Sequence, residues 1–272
     1  MSVHSRPIGV FDSGVGGLTV LRALRLAMPW EDFIYLGDTA RLPYGTKSAQ
    51  SVVRYSLQCA AALVSRNIRC LVVACNTASA TSLDALRLKY PSLPVIGVIE
   101  PGAAAAVAAS ISQHIAVIAT EGTINGGAYQ TAIQRVSAAA RITSRACSLF
   151  VAMAEEGWTS GPIVQAVAHR YLEPIFSRGD APDTLVLGCT HFPVLAEAIA
   201  AVLPDSVRVV DSALTTAAAV AAQMPGRSAG ASGGHTGAVS WLATDSAARF
   251  ARVGSAFLGE ALSADDVQII DL

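Results

Sequence analysis

The sequence predicts an α/β fold: two similar α/β domains with mainly parallel sheets, related by pseudo-symmetry, with an active site in the cleft between them. Three observations lead there. Short apolar runs alternate with stretches of helical periodicity along the chain. The runs are apolar throughout rather than alternating, as strands covered on both faces must be. The chain also echoes itself. LVVACNTASA (71–80) resembles LVLGCTHFPV (185–194), and IGVFDSGVGG (8–17) has a counterpart in IAVIATEGTINGG (115–127).

Taken in order, residues 7–11 form an apolar run that ends at Asp12-Ser13-Gly14, the first strand. Leu18, Leu21, Leu24 and Met28 share one face and leave Arg22 and Arg25 on another, so 18–28 is an amphipathic helix. Residues 33–36 are a strand stopped by Gly37-Asp38. Pro43-Tyr44-Gly45-Thr46-Lys47 is a turn into a long helix, 48–65. A strand at 69–74, a helix at 77–89 and a strand at 95–99 complete the first half. A helix at 103–110, a strand at 115–119 and helices at 128–136 and 163–176 follow. A strand at 184–187, a helix at 194–202 and a strand at 207–210 end the second half. An alanine-rich helix (212–222) precedes a Gly/Ser-rich segment, 223–239, which reads as a loop. A helix at 246–259 and a strand at 267–270 close the chain. The expected domains are 1–98 plus 211–272, and 99–210.

Composition narrows the function. The chain has 272 residues, 52% hydrophobic and 14% charged, which excludes wholesale disorder. The least charged stretch, 101–120, is interrupted by Gly102 and by Ser112-Gln113-His114, so it reads as a helix and a strand, not a membrane span. No apolar run of signal-peptide length precedes Asp12, and a cytoplasmic protein is expected. A net charge of −1 carries no basic surplus for nucleic acid or anionic lipid. Five cysteines without any C-x-x-C suggest neither a disulfide framework nor a zinc site, and no metal is expected.

The chemistry points to Cys75 and Cys189. Both stand at the carboxyl end of a strand and just before a helix. Parallel sheets bind ligands there, and a helix N-terminus favours a thiolate. Two such thiols across a cleft suit inversion of a stereocentre: a thiolate removes a proton from one face and a thiol delivers one to the other. Redox pairing is the competing reading, and it requires the sulfurs within disulfide reach. Cys59, Cys70 and Cys147 read as core. Asp12-Ser13-Gly14-Val15-Gly16-Gly17 has Thr19 where a dinucleotide fingerprint needs glycine, and it lacks the lysine of a Walker loop. Asp12 there either caps a helix or orients a substrate ammonium and assists a thiol, and Ser13 with nearby amides suits a carboxylate. The Pro43-Tyr44-Gly45 loop is either turn punctuation or a ligand contact made by Tyr44 and the Gly45 amide. Asn76-Thr77 and Thr190-His191 directly follow the two cysteines. They either cap helices or hydrogen-bond a small zwitterion, with His191 as the helper of Cys189. Lys47 and Lys89 are the only lysines, and neither is an attractive Schiff-base candidate, which leaves the two cysteines as the better-placed bases; no cofactor is expected.

Six stretches, IGVFDSGVGGLTV (8–20), YLGDTARLPYGTKS (35–48), LVVACNTASA (71–80), GVIEPGAAAA (97–106), ATEGTINGGAYQ (119–130) and LVLGCTHFPVL (185–195), resemble the cofactor-independent aspartate/glutamate racemase superfamily, in its glutamate branch. The resemblance implies racemisation of L-glutamate to D-glutamate for peptidoglycan precursors. It implies that Cys189 deprotonates the L-isomer and Cys75 the D-isomer, with Asp12 and His191 assisting. Asp12, Ser13, Tyr44, Gly45, Asn76, Thr77, Thr190 and His191 would bind substrate, with Thr120 and Thr123 beside them. Glu155 aligns with a carboxylate placed near the second thiol. In aspartate racemases a Glu is expected where His191 stands. Residues 147–152, CSLFVA, lack the two prolines usual in the family. A homodimer without nucleic-acid or membrane partners is expected. The alternatives are a racemase of aspartate or a related diacid, and a second, non-catalytic role in binding DNA gyrase, as in some glutamate racemases.

Overall fold

The protein is represented by a computed structural model that describes residues 6–224 and 236–272. In chain order, β1 (Ile8–Asp12), α1 (Leu18–Ala27), β2 (Phe33–Gly37), α2 (Ala49–Val64), β3 (Cys70–Val73), α3 (Asn76–Lys89) and β4 (Val95–Gly97) lead into α4 (Ile99–Ala109). Then come β5 (His114–Ala119), α5 (Glu121–Asn125), α6 (Ala128–Val136), β6 (Arg141–Ala146), α7 (Leu149–Glu155), α8 (Pro162–Phe176), β7 (Thr184–Gly188), α9 (Ala196–Ala200) and β8 (Arg208–Asp211). The chain finishes with α10 (Ser212–Gln223), β9 (Val239–Ala243), α11 (Ala247–Leu258) and β10 (Val267–Ile269).

Among the described residues the strands build a six-stranded sheet, β10-β9-β2-β1-β3-β4, and a four-stranded sheet, β6-β5-β7-β8. Every neighbouring pair is parallel. The inner order β2-β1-β3-β4 repeats as β6-β5-β7-β8, so the echo in the sequence is an echo in topology. Within it β1 lies against β3 with Phe11 opposite Val73, and β5 lies against β7 with Ala119 opposite Gly188. Both pairs therefore end level, and the residues that follow them share one edge of each sheet. β9 and β10 extend the first sheet beyond β2, which returns the end of the chain to its beginning.

The central strands are buried along their whole length because both faces are covered. On one face of the first sheet, Phe11, Leu36 and Val73 pack against Leu63 of α2 and Leu86 of α3. The other face carries Val10 and Val72 and continues through Leu21 of α1, Ala103 of α4 and Ala217 of α10 to Val117 and Val186 of the second sheet. Each fully buried Leu or Phe contributes about 1.5–3 kcal/mol. The expected face of α1 is the buried one: Leu18, Leu21 and Leu24.

The structure differs from the sequence reading at several elements. β4 stops at Gly97 and α4 starts at Ile99 rather than at residue 103, with Pro101 in its first turn. A proline is tolerated there because its missing N–H has no partner to lose. The expected helix at 194–202 is a 3₁₀ turn, Phe192–Leu195, followed by the short α9. α5, β6, α7 and β9 are additional elements, and β9 begins where the expected loop 223–239 ends. Of that loop, residues 225–235 lie outside the described residues. No helix among the described residues is long and apolar enough to cross a membrane.

Candidate active site

The carboxyl ends of β1, β3, β5 and β7 converge on one polar cluster. β1 ends at Asp12, whose Oδ2 accepts the Gly14 N–H at 2.9 Å. The chain then turns through Gly16, where a Cβ would lie 2.4 Å from Thr190 Oγ1 and 2.5 Å from His191 Nδ1. Only glycine allows the first half to approach the second this closely. Thr190 Oγ1 reaches Asp12 Oδ1 at 3.5 Å, and the Thr190 carbonyl accepts from Thr19 Oγ1 at 3.1 Å.

β3 delivers Cys75 to the N-cap position of α3. Its Sγ accepts from the Ala78 N–H at 3.5 Å and donates to Ser13 Oγ at 3.6 Å. β7 delivers Cys189, whose Sγ lies 3.9 Å from His191 Nδ1. The other ring nitrogen, Nε2, is 3.1 Å from Glu155 Oε1, and Glu155 Oε2 accepts from Arg249 at 2.8 Å. The ring of His191 also packs edge-on to Phe257, with centroids 5.1 Å apart. Cys75 and Cys189 are both free thiols and each is 5% exposed, so the cluster is closed over.

Hydroxyls and amides surround the thiols. Thr77, Thr120 and Thr123 form a triangle of Oγ1 contacts at 3.0 to 3.1 Å that ties α3 to α5. Asn76 Oδ1 accepts the Tyr129 hydroxyl at 2.8 Å, while its buried Nδ2 has no hydrogen-bond partner. Gly45 rests on Thr120, where a Cβ would come within 2.7 Å of the threonine Cβ. Beside it a cavity of about 210 Å³ lies between Pro43, Thr120, Ser148 and Glu155.

Asp12, Ser13, Thr190, His191 and Glu155 are thus linked to Cys75 and Cys189, while Asn76 and Thr77 follow Cys75 in α3 and Thr120 and Thr123 bond to Thr77. Gly45 is there through its backbone. Tyr44 differs in its side chain: the ring is buried and the hydroxyl donates to Asp38, which also accepts from Arg41, with Cys59 Sγ 3.8 Å from that hydroxyl. Two contributors were not anticipated. Tyr129 falls inside the stretch 119–130 but is not singled out there, and Arg249 stands far along the chain outside every quoted stretch.

Burial governs the electrostatics. It pushes the Cys75 thiol up to about 12, with the charge of Asp12 adding to it and the Ala78 N–H and the Ser13 hydroxyl opposing it. The expected thiolate-favouring effect of the helix N-terminus is therefore outweighed at Cys75. Burial likewise raises the Asp12 carboxyl, against the pull of His191 and of the Gly17, Gly14 and Ser13 N–H groups. For His191 burial favours the neutral ring, but hydrogen bonds to Cys189 and Glu155 and the charges of Cys189 and Asp12 outweigh it and bring it to about 10. Glu155 is raised by burial and lowered more by His191 and Arg249, and the net shift is downward. Burial thus favours a protonated Cys75, and the partners of His191 favour an imidazolium paired with the Glu155 carboxylate. Among the described residues no three His, Cys, Asp or Glu side chains converge as a metal site would require.

A family model described as Asp/Glu/Hydantoin racemase matches residues 19–222. A glutamate racemase of Geobacter metallireducens is 50% identical over 258 residues, 93% of each chain. Among solved structures, a glutamate racemase isoform of Bacillus anthracis superposes with a TM-score of 0.90 at 33% identity, covering 99% of this chain and 98% of its own. The glutamate racemase of Francisella tularensis, solved in complex with D-glutamate, gives 0.86 at 34% identity, with 98% of both chains covered. With its parallel sheets and this degree of identity, the chain belongs to the Asp/Glu/Hydantoin racemase family.

Proposed function

We propose that the protein interconverts L- and D-glutamate by proton transfer between two thiols, Cys75 and Cys189, without a cofactor. One observation carries the reading: the thiols follow equivalent strands, β3 and β7, and meet the same closed polar cluster, in a chain half identical to a glutamate racemase. In the L-to-D direction the Cys189 thiolate takes the α-proton. The electron pair is left on the α-carbon and delocalises into the carboxylate. The Cys75 thiol then gives its proton to the opposite face, so the reaction ends with Cys75 as thiolate and Cys189 as thiol. The reverse reaction exchanges the roles.

The surroundings support each step. Asp12 faces the substrate ammonium. Ser13, Thr190 and the unspent Asn76 Nδ2 donate to carboxylate oxygens, where fixed donors in a closed site stabilise developing charge best. Thr77, Thr120 and Thr123, with Gly45 against them, hold the substrate from the α5 side. Imidazolium His191 accompanies the thiolate at Cys189, and burial keeps Cys75 protonated until it is needed. The product would supply peptidoglycan synthesis in the cytoplasm, and the working form is a homodimer.

The test is circular dichroism of the purified protein with L-glutamate, and with L-aspartate as the comparison. Racemisation of glutamate is expected, and Cys75→Ala or Cys189→Ala should abolish it in both directions. In deuterated water the product should gain deuterium at the α-position within one turnover. Retention of the original hydrogen, or substantial racemisation by either variant, overturns the two-thiol reading.

A further inference from the structure

The side chain of Arg249 has no place in the scheme above, yet it stands at the end of a chain of contacts that leads to a thiol. Arg249 donates to Glu155 Oε2 at 2.8 Å, Glu155 Oε1 meets His191 Nε2 at 3.1 Å, and His191 Nδ1 lies 3.9 Å from Cys189 Sγ. The charge is supplied across the cleft. Arg249 belongs to α11, which packs on α1 beside the first sheet, whereas Glu155 ends α7 and His191 follows β7 of the second. α11 holds the imidazole twice, because Phe257, two turns along the same helix, packs against its ring at 5.1 Å. The Arg249 side chain is 46% exposed, whereas those of Glu155 and His191 are 13% and 7% exposed. The guanidinium thus sits at the rim and closes the outer end of a buried relay.

We propose that Arg249 is a positioning residue for proton transfer at Cys189, acting through Glu155 and His191. The inference rests on the two-thiol reading. Its physical basis is geometric. A carboxylate with two oxygens and one imidazole partner can rotate. A guanidinium on the second oxygen fixes its plane, and with it the ring orientation of His191. The groups facing His191 are Cys189, Glu155 and Asp12 among the ionisable ones, with Thr190 and Phe257 completing its shell. Glu155 faces His191 and Arg249. On the other side of the site Cys75 is bonded to Ser13 and the Ala78 N–H, and Arg249, Glu155 and His191 make no hydrogen bond to it; Asp12 is the charge that both sides share.

This asymmetry makes a distinctive test possible. The two proton transfers lie in series, and the equilibrium constant of a racemase is unity, so kcat/KM must fall equally in both directions whichever transfer is slowed. Isotope effects separate the transfers. In the assignment above, Cys189 moves the α-deuteron of L-[2-²H]glutamate and Cys75 moves that of D-[2-²H]glutamate. Arg249→Gln should lower kcat/KM by about 3- to 10-fold in both directions, the range of a partly exposed charge-assisted pair. The primary isotope effect on kcat/KM should rise with L-[2-²H]glutamate and fall with the D-isomer. Arg249→Lys should recover part of the loss, and Arg249→Gln should cost less than about two-fold in a Glu155→Gln background, as coupled residues do. Isotope effects that move together or stay at their wild-type values, or a full loss that persists without the Glu155 carboxylate, overturn the inference alone. Racemisation that survives Cys189→Ala overturns the two-thiol reading and the inference together.

Discussion

Cys75 and Cys189 are the same residue in two electrostatic settings. Cys75 is desolvated beside Asp12, while Cys189 looks onto an imidazolium braced by Glu155. Both thiols were legible in the sequence, because each ends an apolar run and precedes a polar pair. The settings were not, since Asp12 and Glu155 reach them through the fold rather than along the chain. Asn76 shows the same limit. Its position after Cys75 marks it as a cap or a ligand-binding group, but only the fold spends Oδ1 on Tyr129 and leaves Nδ2 without a partner. A buried amide donor without a partner costs free energy that a substrate oxygen repays. Asn76→Ala should therefore raise KM for glutamate about ten-fold, the worth of one hydrogen bond to a charged group. The melting temperature should fall by only a few degrees for the lost Tyr129 contact. An unchanged KM would show that Nδ2 does not meet the substrate.

At the scale of elements, the buried central strands were legible, whereas the edge strand β6 and the half-exposed β9 were not. β1, β3, β5 and β7 are fully buried and read directly from the chain. β6 reads RITSRA and forms an edge, exposed or half-buried along its length, so nothing in its composition separates it from a loop. α7 has seven residues, too few for a period to declare itself. What anchors β7 at its start is also invisible in the sequence. The Asp183 carboxylate accepts from Ser110 Oγ at 2.6 Å, the Ile111 N–H at 2.8 Å, the Ser112 N–H at 2.6 Å and Thr184 Oγ1 at 3.0 Å. These bonds fasten the α4–β5 connection to β7. Burial raises the Asp183 carboxyl, but the bonds outweigh it and hold it well below the usual carboxylate range. A carboxyl lowered in the folded state adds stability that is fully present above its unfolded value, about 3.9, and is lost as pH falls through the folded one. Asp183→Asn should lower the melting temperature by about 2–4 °C at pH 7, as loss of a roughly 1 kcal/mol cap does in a chain of this size. The gap from wild type should narrow below about pH 4. A gap that widens on acidification would contradict this account.

For the molecule as a whole, we propose that residues 1–98 with 211–272 and residues 99–210 are two domains that fold as one unit. The echoed motifs anticipate the repeated strand order. Composition cannot anticipate the joint between the halves. α10 packs on α1 of the first half and on α4 of the second, and the apolar core runs without a break from Val10 through Ala217 to Val186. Domains with separate cores unfold separately, whereas a shared core links their stabilities. The active-site cluster adds to the link, because Gly16 against Thr190 and Gly45 against Thr120 are close approaches from opposite halves. Tryptophans supply a reporter in each half: Trp241 in β9 of the first sheet and Trp158 just after α7 in the second. In urea, a variant retaining Trp241 alone and one retaining Trp158 alone should give the same midpoint, relative to matched far-ultraviolet circular dichroism of each variant. Midpoints that separate by about 1 M, which at a slope of 1–3 kcal/mol/M is a difference of at least 1 kcal/mol, would show that the halves unfold independently. The continuous core would then not couple them, and closure of the site would have to be carried by the polar contacts alone.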